Sequence, residues 1–432
     1  MSNKDKAPLV PKLRFLEFQG DGEWRVCKAG DFLSESRNPS EQNDPARRIT
    51  VRLNLHGVEH REHRGTESTE ATNHFQRSAG QFIYGKQNIH KGAFGIIPAQ
   101  LHNFETSQDL PCFDFKENCN PKWVLYHFAR EDVYQPLELK MTGTGSKRLS
   151  EKNFLGLAIP APSSSEQKKV AECLSSLDEL IAAQARKVDA LKTHKKGLTQ
   201  QLFPREGETQ PRLRFPEFRN AREWEITTVG GLVEAGWLFP PKDGNHGNIH
   251  PKSSDYVASG IPFIMASDLK GGLIDIKNCH FISKNQADKL QKGFAKEGDV
   301  LLSHKGTVGE VAVVRKINTP YLMLTPQVTY YRVKDQQRLL NEFIAQLFVA
   351  DEFQANLLEV SGGGTRAYIG ITEQAKLRLQ LPKDIEEQQR IANCLTTLDA
   401  FINAATQEVE TLKTHKKGLM QQLFPSAEAG EA

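Results

Sequence analysis

The chain has 432 residues, of which 38% are hydrophobic and 25% are charged, and its formal charge is +3. At roughly 150 residues per domain, this length suggests about three compact units, and the apolar content is sufficient to form real cores. The near-neutral charge neither requires nor excludes a nucleic-acid partner. Because the mean hydropathy is −0.51 and no apolar run of about 18 residues or apolar secretory stretch occurs, we expect a soluble, cytoplasmic protein.

Two segments of the sequence occur twice. Residues 11–26 align with residues 211–226 at 8 of 16 identical positions and share the pattern Leu-Arg-Phe-x-Glu-Phe followed by Glu-Trp. Residues 166–204 align with residues 387–425 at 23 of 39 identical positions, including 13 of the last 14. The segments between them show little resemblance. An internal repeat of this kind indicates two similar frames that carry two different inserts.

The longer repeated segments, 166–204 and 387–425, are predicted to be helices. Their apolar residues recur at spacings of three and four, which is typical of a coiled-coil seam. At about 1.5 Å per residue, each helix would be on the order of 57 Å long. Each is preceded by a capping-box spacing and followed by a proline, which ends a helix. The capping pairs are Ser163 with Glu166 and Asp384 with Glu387, and the prolines are Pro204 and Pro425.

The apolar seam of each predicted helix needs a partner, and the other copy of the helix is the nearest one available. We favour an antiparallel pair, because the two halves are then related by an approximate two-fold axis with one divergent domain at each end. Two alternatives stay open. Each helix packs on its own domain as part of a hairpin, or the helices pair between two copies of the chain.

The two divergent segments have the patterns of mixed α+β domains. The first reads as strand, polar loop and strand over residues 81–97, and a helix is expected after Pro121. The second shows strands at 299–303 and 311–314 around a polar loop, and an amphipathic helix at 339–348. Each segment ends in a glycine-rich turn that carries basic residues. The predicted fold class is therefore α+β.

Together and in this order, the motifs resemble the specificity (S) subunit of a type I restriction–modification enzyme. The resemblance covers residues 11 to 425 and rests on the repeated opening motif, on both Glu-Gln…Leu-Asp…Leu-Phe-Pro helices, and on Gly80–Tyr84 with Gly92–Gly95 and Gly298–Ser303 with Gly306–Gly309. It implies two mixed α/β target recognition domains, each reading half of a split, asymmetric DNA sequence. Two long antiparallel coiled-coil helices would separate these domains in a pseudo-two-fold internal repeat and set the half-site spacing.

The resemblance also implies partners and boundaries. The chain would be a non-catalytic subunit that binds double-stranded DNA, two methyltransferase subunits and, through them, endonuclease/translocase subunits, with no membrane partner. It would bind no cofactor or metal itself, since the complex would use S-adenosylmethionine, ATP and Mg through its partners. The implied parts are a first target recognition domain at 11–158, a spacer helix at 163–204, a linker at 205–210, a second target recognition domain at 211–382 and a second spacer helix at 384–425.

Candidate DNA contacts follow from the chemistry of the grooves. Base edges need side chains that donate and accept hydrogen bonds, while phosphates need lysine, arginine, hydroxyl groups or free backbone N–H groups. Glycines beside basic residues allow the close approach of a backbone to phosphate. The candidates lie on polar loops after strands and on the glycine-rich turns: Tyr84, Lys86, Gln87, Asn88, Lys91, Lys147, Arg148, Ser267, Asp268, Lys270, Ser303, His304, Lys305, Thr307 and Arg366.

The ends of the two predicted helices carry candidate docking residues. We expect these apolar side chains to anchor the helix ends either to a partner subunit or to a domain of the same chain. The run Lys-Thr-His-Lys-Lys near each helix end is interpreted as a shared protein contact, in which Lys195 and Lys416 lie on the seam and set its register. The candidate docking residues are Leu198, Leu202, Phe203, Leu419, Leu423 and Phe424.

Patterns typical of enzymes are present but poorly supported. His56-Gly57-Val58-Glu59-His60 matches an inverted zinc-protease string, which needs a helix that its glycine and charged neighbours do not favour. Asp132, Glu138 and Lys140 resemble part of a nuclease motif at cramped spacing. Six cysteines, at no metal-like spacing, need no disulfide. Two rival functions therefore stay open, a stand-alone Mg-dependent nuclease and a protein scaffold without DNA affinity. The cysteines are Cys27, Cys112, Cys119, Cys173, Cys279 and Cys394.

Overall fold

A computed structural model describes residues 9–41, 43–62, 73–361 and 368–426 of the chain. The chain divides into two compact units, a first one drawn from 1–184 and 408–432 and a second one from 185–407. Each of the two long helices therefore begins in one unit and ends in the other. Within the described ranges, no helix is both long and apolar enough to cross a membrane.

The first unit consists of short strands, short helices and parts of both long helices. Its strands are β1 (Arg25–Lys28), β2 (Leu33–Ser36), β3 (Ile49–Val51), β4 (Val58–His60), β5 (His74–Gln76), β6 (Phe82–Tyr84), β7 (Phe94–Ile96), β8 (Glu105–Ser107), β9 (Cys112–Phe115) and β10 (Ala158–Ala161). Its helices are α1 (Ala29–Phe32), α2 (Pro121–Phe128), α3 (Glu131–Tyr134), α4 (Glu151–Leu155) and the first part of α5 (Ser164–Leu202). The expected helix after Pro121 is confirmed, with Pro121 at its first turn.

The second unit has the same kinds of elements in a longer insert. Its strands are β11 (Glu225–Thr228), β12 (Lys242–Asp243), β13 (Tyr256–Val257), β14 (Ile261–Ile264), β15 (Leu269–Lys270), β16 (Leu273–Ile274), β17 (His280–Ile282), β18 (Phe294–Ala295), β19 (Val300–Ser303), β20 (Val311–Val313), β21 (Leu322–Leu324), β22 (Val328–Tyr331) and β23 (Arg378–Leu381). Its helices are α6 (Val229–Glu234), α7 (Lys284–Ala287), α8 (Asn341–Val349), α9 (Asp351–Val360), α10 (Ile371–Gln374) and the first part of α11 (Ile385–Leu423). The expected strands β19 and β20 and the amphipathic helix α8 are confirmed.

Both units contain a four-stranded antiparallel sheet with the same strand connections. The order is β2-β9-β6-β7 in the first unit and β12-β22-β19-β20 in the second. A buried helix covers each sheet, through Phe128 on Phe82 at 5.7 Å in the first unit and Phe348 on Tyr331 at 4.8 Å in the second. The second unit adds a five-stranded sheet in the order β13-β17-β14-β21-β18. The dissimilar inserts therefore share a sheet core that their sequences do not reveal.

The repeated opening motif is tied to the first turn of each long helix by the same three side chains. In the first unit, Arg14 donates two hydrogen bonds to the Glu166 carboxylate at 2.8 and 2.7 Å, and Trp24 Nε1 donates a third at 3.3 Å. The corresponding residues of the second unit make the same bonds at 2.7, 2.7 and 3.3 Å. These residues are Arg214, Trp224 and Glu387. We call each set an opening lock.

The locks correct one detail of the sequence interpretation. The hydroxyl of Ser163 accepts a weak bond from Glu166 N at 3.4 Å, as a capping box requires. The Glu166 carboxylate binds the arginine and tryptophan of the opening motif and is nearly completely buried. The glutamate of the repeat is therefore a long-range tether of the opening segment.

In the first unit the two long helices run antiparallel. Lys416 Nζ donates to Asp178 Oδ1 at 2.6 Å, and further along the two helices Gln184 donates to the Glu408 carboxylate. The residue numbers rise along one helix as they fall along the other, which defines the direction. Val170 and Leu174 of the predicted seam are buried in the core of this unit.

The second unit repeats this antiparallel arrangement. Lys195 Nζ donates to both carboxylate oxygens of Asp399 at 2.7 Å, and Leu202 shares a buried cluster with Ile391 and Leu395. The lysine of one copy thus binds the aspartate of the other copy's Leu-Asp pair in each unit, consistent with a role in register. The predicted fold class is confirmed as α+β, with two mixed α/β units, two long antiparallel helices and an internal repeat. The domain boundaries proposed from the sequence stay a prediction.

The opening locks predict a large, local effect on stability. Glu387→Gln removes a carboxylate that is 1% exposed and leaves the Arg214 guanidinium, which is 7% exposed, without its counter-charge. We expect the free energy of unfolding of the second unit to fall by about 3 kcal/mol, because removing one member of a buried ion pair leaves the other charge uncompensated. Urea denaturation of the purified chain measures it.

The matched control is Glu217→Gln, which removes an exposed carboxylate paired with Arg390 at 3.4 Å. Its effect should stay below about 1 kcal/mol, because an exposed ion pair contributes little. Equal losses of the free energy of unfolding in the two variants would show that the buried lock stabilises the unit no more than an exposed ion pair does.

Candidate nucleic-acid interface

The polar loops predicted from the sequence leave the two sheets at equivalent points. The first loop, residues 85–93, connects β6 to β7, and the second loop, residues 304–310, connects β19 to β20. Each follows the inner strand that pairs with the last strand of its sheet, β7 or β20. The structure thus places the two sets of candidate residues at the same position of a shared topology.

Each loop is joined to the residues just after the glycine-rich turn of its unit. In the first unit, Leu149 N donates to Lys86 O at 2.9 Å, and in the second, Ile369 N donates to His304 O at 3.1 Å. The two elements are far apart in sequence, yet the fold makes them neighbours in both units. Their side chains can therefore act on one ligand.

In the first unit, this pairing forms a polar hollow of about 290 Å³. Candidates from the first loop and from the turn lie together at its wall, and Met141 lies in the same wall. The hollow brings together groups that donate and accept hydrogen bonds, as the reading of base edges requires. The polar lining residues are Gln87, Asn88, His90, Lys91, Glu138, Ser146 and Lys147.

The candidate cations of the first unit differ in availability. Lys86 is half-buried and pairs with Glu151 at 2.7 Å, so it is held by the protein. The exposed Lys147 lies 3.7 Å from Glu138, and Arg148 lies 3.2 Å from Asp109. Such exposed pairs are worth at most about 1 kcal/mol, so phosphate oxygens can replace these carboxylates. The Lys91 ammonium has no ion-pair partner among the residues that the structure describes.

Tyr84 is not on the loop. It is the last residue of β6, its side chain is fully buried, and its hydroxyl donates to Leu149 O at 3.1 Å. Burial raises the pKa of the Tyr84 hydroxyl above its usual value. Because the ring packs against Phe154 at 4.6 Å in the core, Tyr84 holds the base of the loop and does not reach a base edge.

Ser303 and His304 are also placed inside the second unit. The Ser303 hydroxyl accepts a hydrogen bond from Glu310 N at 2.8 Å, which closes the second loop. His304 Nδ1 lies 2.8 Å from Thr329 Oγ1, and burial lowers the pKa of this imidazole to about 4. Both side chains are fully buried, so they do not reach the loop surface on which the sequence analysis expected base contacts. Their hydrogen bonds instead hold the second loop in its conformation.

Lys305 and Thr307 are the exposed candidates in the second loop. The Lys305 ammonium lies 5.7 Å from the centre of the Tyr368 ring, a cation–π distance. Lys305 also lines a hollow of about 320 Å³ with Met265 and Gln327. These groups combine a cation with an amide, which suits a phosphate beside a base edge.

The same hollow contains residues that sequence reasoning missed. His246 and His250 lie in its wall, and His246 Nε2 is 2.6 Å from Asp243 Oδ2. They come from a segment about 55 residues before the second loop, and no local pattern distinguishes them from other polar loop residues. The fold alone brings them to Lys305.

Ser267, Asp268 and Lys270 lie beside this hollow, on the segment that follows Met265. Ser267 and Lys270 are exposed, and Lys270 is 3.8 Å from Asp275. Asp268 accepts a hydrogen bond from Met265 N at 2.8 Å, and burial raises the pKa of its carboxyl. Asp268 thus stabilises its own turn, while Ser267 and Lys270 stay available. The candidate Arg366 lies outside the described residues.

The candidate docking residues at the helix ends pack on the chain itself. In the first unit, Phe424 is buried with its ring 5.9 Å from Trp24 and 6.1 Å from Trp123. In the second unit, Phe203 lies 5.9 Å from Trp224. Of the two alternatives expected from the sequence, the anchor to a domain accounts for these positions. The fully buried members are Leu202, Phe203, Leu423 and Phe424, and the half-buried ones are Leu198 and Leu419.

The enzyme-like patterns do not assemble into a site. His56 and Gly57 lie in the connection between β3 and β4 and His60 lies in β4, so the zinc-protease string is not helical. Asp132 forms an ion pair with Arg130 at 2.7 Å. In the part of the chain that the structure describes, no group of three or more His, Cys, Asp or Glu side chains is arranged to hold a metal ion.

Two equivalent sheets with polar loops, carried by repeated long helices, define a class of modular recognition proteins without an assembled catalytic centre among the described residues. The sequence matches the family described as "Type I restriction modification DNA specificity domain" twice, at residues 21–193 and 221–414. The chain belongs to this family of type I restriction–modification specificity proteins. Such specificity subunits are non-catalytic DNA-recognition components, so the resemblance identified from the sequence is confirmed.

Similar proteins carry the same description. The chain is 24% identical over 351 residues to the type I restriction enzyme MjaVIII specificity subunit of Methanocaldococcus jannaschii, covering 80% of this chain and 76% of that protein. It is 19% identical over 328 residues to the EcoBI specificity subunit of Escherichia coli, covering 74% and 67%. The crystal structure of an S subunit from M. genitalium matches its fold with a TM-score of 0.59 at 15% identity, covering 96% and 99% of the two chains.

The buried imidazole of His304 predicts an acid sensitivity of the second unit. Its pKa is about 4 in the folded chain and about 6.5 when unfolded, so the unfolded state binds the extra proton first. The stability that the chain keeps by having His304 neutral in both states is complete above pH 6.5 and is lost as the pH falls towards 4. We expect His304→Asn to remove about 2 kcal/mol of the stability difference between pH 7 and pH 5, measured by urea denaturation.

The matched control is His194→Asn, on an exposed part of α5. Its stability at each pH gives the reference for removing a histidine that is not buried. The assignment to His304 fails if its variant retains the full loss of stability between pH 7 and pH 5.

Proposed function

We propose that the chain reads a bipartite, asymmetric DNA target, with one half-site bound by each unit. The observation that carries this proposal is the pair of loops at equivalent positions of two sheets that share one strand order. The first loop presents Gln87, Asn88 and Lys91, while the second presents Lys305 and Thr307. Because base-edge recognition depends on the pattern of donors and acceptors, unlike side chains on like frames are expected to select unlike base sequences.

The charges of the chain support a protein that supplies only part of the DNA affinity of its complex. The formal charge of +3 gives little long-range attraction to DNA, and most exposed candidate cations already have a carboxylate neighbour. Phosphates would replace these weakly held carboxylates on binding. DNA binding by the chain alone would therefore be modest, and the complex would supply the remaining contacts.

The chain would dock two methyltransferase subunits, and endonuclease/translocase subunits through them. Support comes from exposed side chains that are identical in both helix copies and that no packing requirement explains. The buried repeated residues hold the opening locks and helix ends, but exposed ones are free to contact a repeated partner. These exposed pairs are Lys192 with Lys413, Thr193 with Thr414 and His194 with His415. S-adenosylmethionine, ATP and magnesium would be bound by the partners, and the complex would work in the cytoplasm.

The long helices would set the spacing between the half-sites. Each helix begins in one unit and ends in the other, and a lysine–aspartate pair holds the register in each unit. A fixed protein dimension between two reading elements fixes the spacing of the sites they read.

The first test is methylation mapping in cells that carry the cognate methyltransferase, with and without this chain, by single-molecule sequencing. We expect a gapped, asymmetric adenine-methylation motif that appears only with the chain. A variant with Lys305→Ala and Thr307→Ala should relax or weaken one half-site, because it removes the exposed groups of one loop, and leave the other half-site unchanged.

Two outcomes would count against this function. If the maps with and without the chain agree, while chain and methyltransferase are soluble and associated, the chain acts as a scaffold. If the loop variant changes both half-sites equally, the loops do not read separate sequences.

Lengthening the helices tests the spacing role. We propose inserting four residues, one helical turn, after Gln184 in α5 and after Gln407 in α11, where both helices pass from one unit to the other. One turn adds roughly 6 Å, close to two base pairs of B-DNA at about 3.4 Å each.

The methylated motif should then have a gap about two base pairs longer and the same half-sites. A three-for-three replacement of exposed residues at the same positions, which keeps the length, is the control and should leave the gap unchanged. A longer helix with an unchanged gap would contradict the spacing role.

A further inference from the structure

The turn between β3 and β4 has an unusual backbone. Asn54 and Leu55 both have left-handed conformations, with φ of 56° and 60°. Among the described residues, Leu55 is the one residue with positive φ that is neither glycine nor asparagine. A branched side chain is disfavoured there, because its Cβ crowds the following carbonyl oxygen. Such strain persists only where the surroundings impose it, and it is often found at functional positions.

The surroundings that impose this turn are the first loop itself. Asn54 N donates to Lys91 O at 2.8 Å, and Leu55 N donates to Gly92 O at 3.0 Å. Gly92 has φ of 72°, and an added Cβ would lie 3.0 Å from Leu55 N and 3.2 Å from Leu55 Cγ. Only glycine allows this close approach. The turn is therefore fixed to the loop that carries the candidate base contacts.

The fixed turn exposes two leucines. Leu53 is 41% exposed and Leu55 is 39% exposed, and both lie in the connection of the β3–β4 hairpin. Isolated exposed leucines are common and need no explanation. Here two exposed leucines lie in the same turn, and one of them has a backbone conformation that leucine disfavours. The intrinsic preferences of these residues therefore do not explain the arrangement.

The charge around the tip favours a polyanion as the occupant. Residues 47–62 contain four arginines and two histidines against two glutamates. Arg48 is buried with Glu105 and Arg52 pairs with Glu59, and Lys91 adds an exposed ammonium at the base of the tip. An apolar tip beside an exposed ammonium is the combination used by proteins that press a leucine against a base step and hold the flanking phosphates.

We infer that the tip Leu53–Leu55 is an apolar wedge that packs against the stacked bases of the half-site read by the first unit and loosens one base step. This inference rests on the proposed function. In addition to hydrogen bonding, the wedge would sense how easily a base step unstacks, which depends on the DNA sequence. It also suits a methyltransferase partner, because DNA methyltransferases must extrude their target base.

The test uses the full chain in complex with its methyltransferase and a DNA target whose motif has been mapped beforehand. 2-Aminopurine replaces the bases of both half-sites one position at a time, and its fluorescence rises where a base loses stacking. We expect a rise at one step of a single half-site. The double variant Leu53→Ser with Leu55→Gly should abolish that rise and weaken DNA binding roughly tenfold, as expected when a wedge contact is lost.

Two further variants control for folding and for loss of any exposed leucine. Leu55→Asn keeps a residue that tolerates the left-handed backbone but removes the apolar surface, so it should lower the fluorescence rise without lowering the thermal midpoint. Leu273→Ser removes a 47% exposed leucine at a hairpin of the second unit and should leave the rise intact.

Several outcomes would overturn the wedge. One is the absence of any fluorescence rise in the unmodified complex, and another is a rise that survives in the double variant. Loss of co-purification with the methyltransferase in Leu55→Asn, at unchanged thermal midpoint, would make the tip a protein-docking surface. Failure of the proposed function is seen separately, because mapping would then find no chain-dependent motif before any wedge experiment begins.

Discussion

The structure depends on a buried carboxylate in each unit that is satisfied by an arginine and a tryptophan from far away in sequence. A buried carboxylate without partners is strongly unfavourable, so Glu166 and Glu387 fix the opening segments Arg14–Trp24 and Arg214–Trp224 against the first turns of α5 and α11. The strands that follow, β1 and β11, then pair with β10 and β23, which lead into the same helices. Each unit is closed at its helix by this contact.

Once each unit is closed, its sheet can hold loops of different chemistry. The loop residue whose carbonyl accepts the equivalent backbone hydrogen bond is Lys86 in the first unit, paired with a glutamate, and His304 in the second, buried and neutral. In both units this carbonyl accepts from a backbone N–H that follows the glycine-rich segment of the sequence. The shared element is thus a main-chain contact, which does not depend on side-chain identity, and this is how the inserts diverge without loss of the frame.

Much of the architecture was predictable because it follows from local patterns. The heptad spacing and the repeat predict α5 and α11, and the apolar–polar alternation predicts β19 and β20, since both patterns are written in consecutive residues. The repeat also predicts that Lys195 and Lys416 matter for register. Their partners Asp399 and Asp178 are over 200 residues away, and the pairing follows only from the antiparallel packing.

The candidate site shows the limit of this reasoning. The sequence by itself determined the class of protein, the two frames and the loops in which contacts were sought, because these depend on periodicity, repetition and turn chemistry. Only the tertiary structure decided which side chains are available: Tyr84, Ser303 and His304 point into the core, while His246, Gln327 and the Leu53–Leu55 tip join the loops from distant segments. Burial and long-range neighbours are set by how the strands pair, and a single polar residue carries no local signal of either.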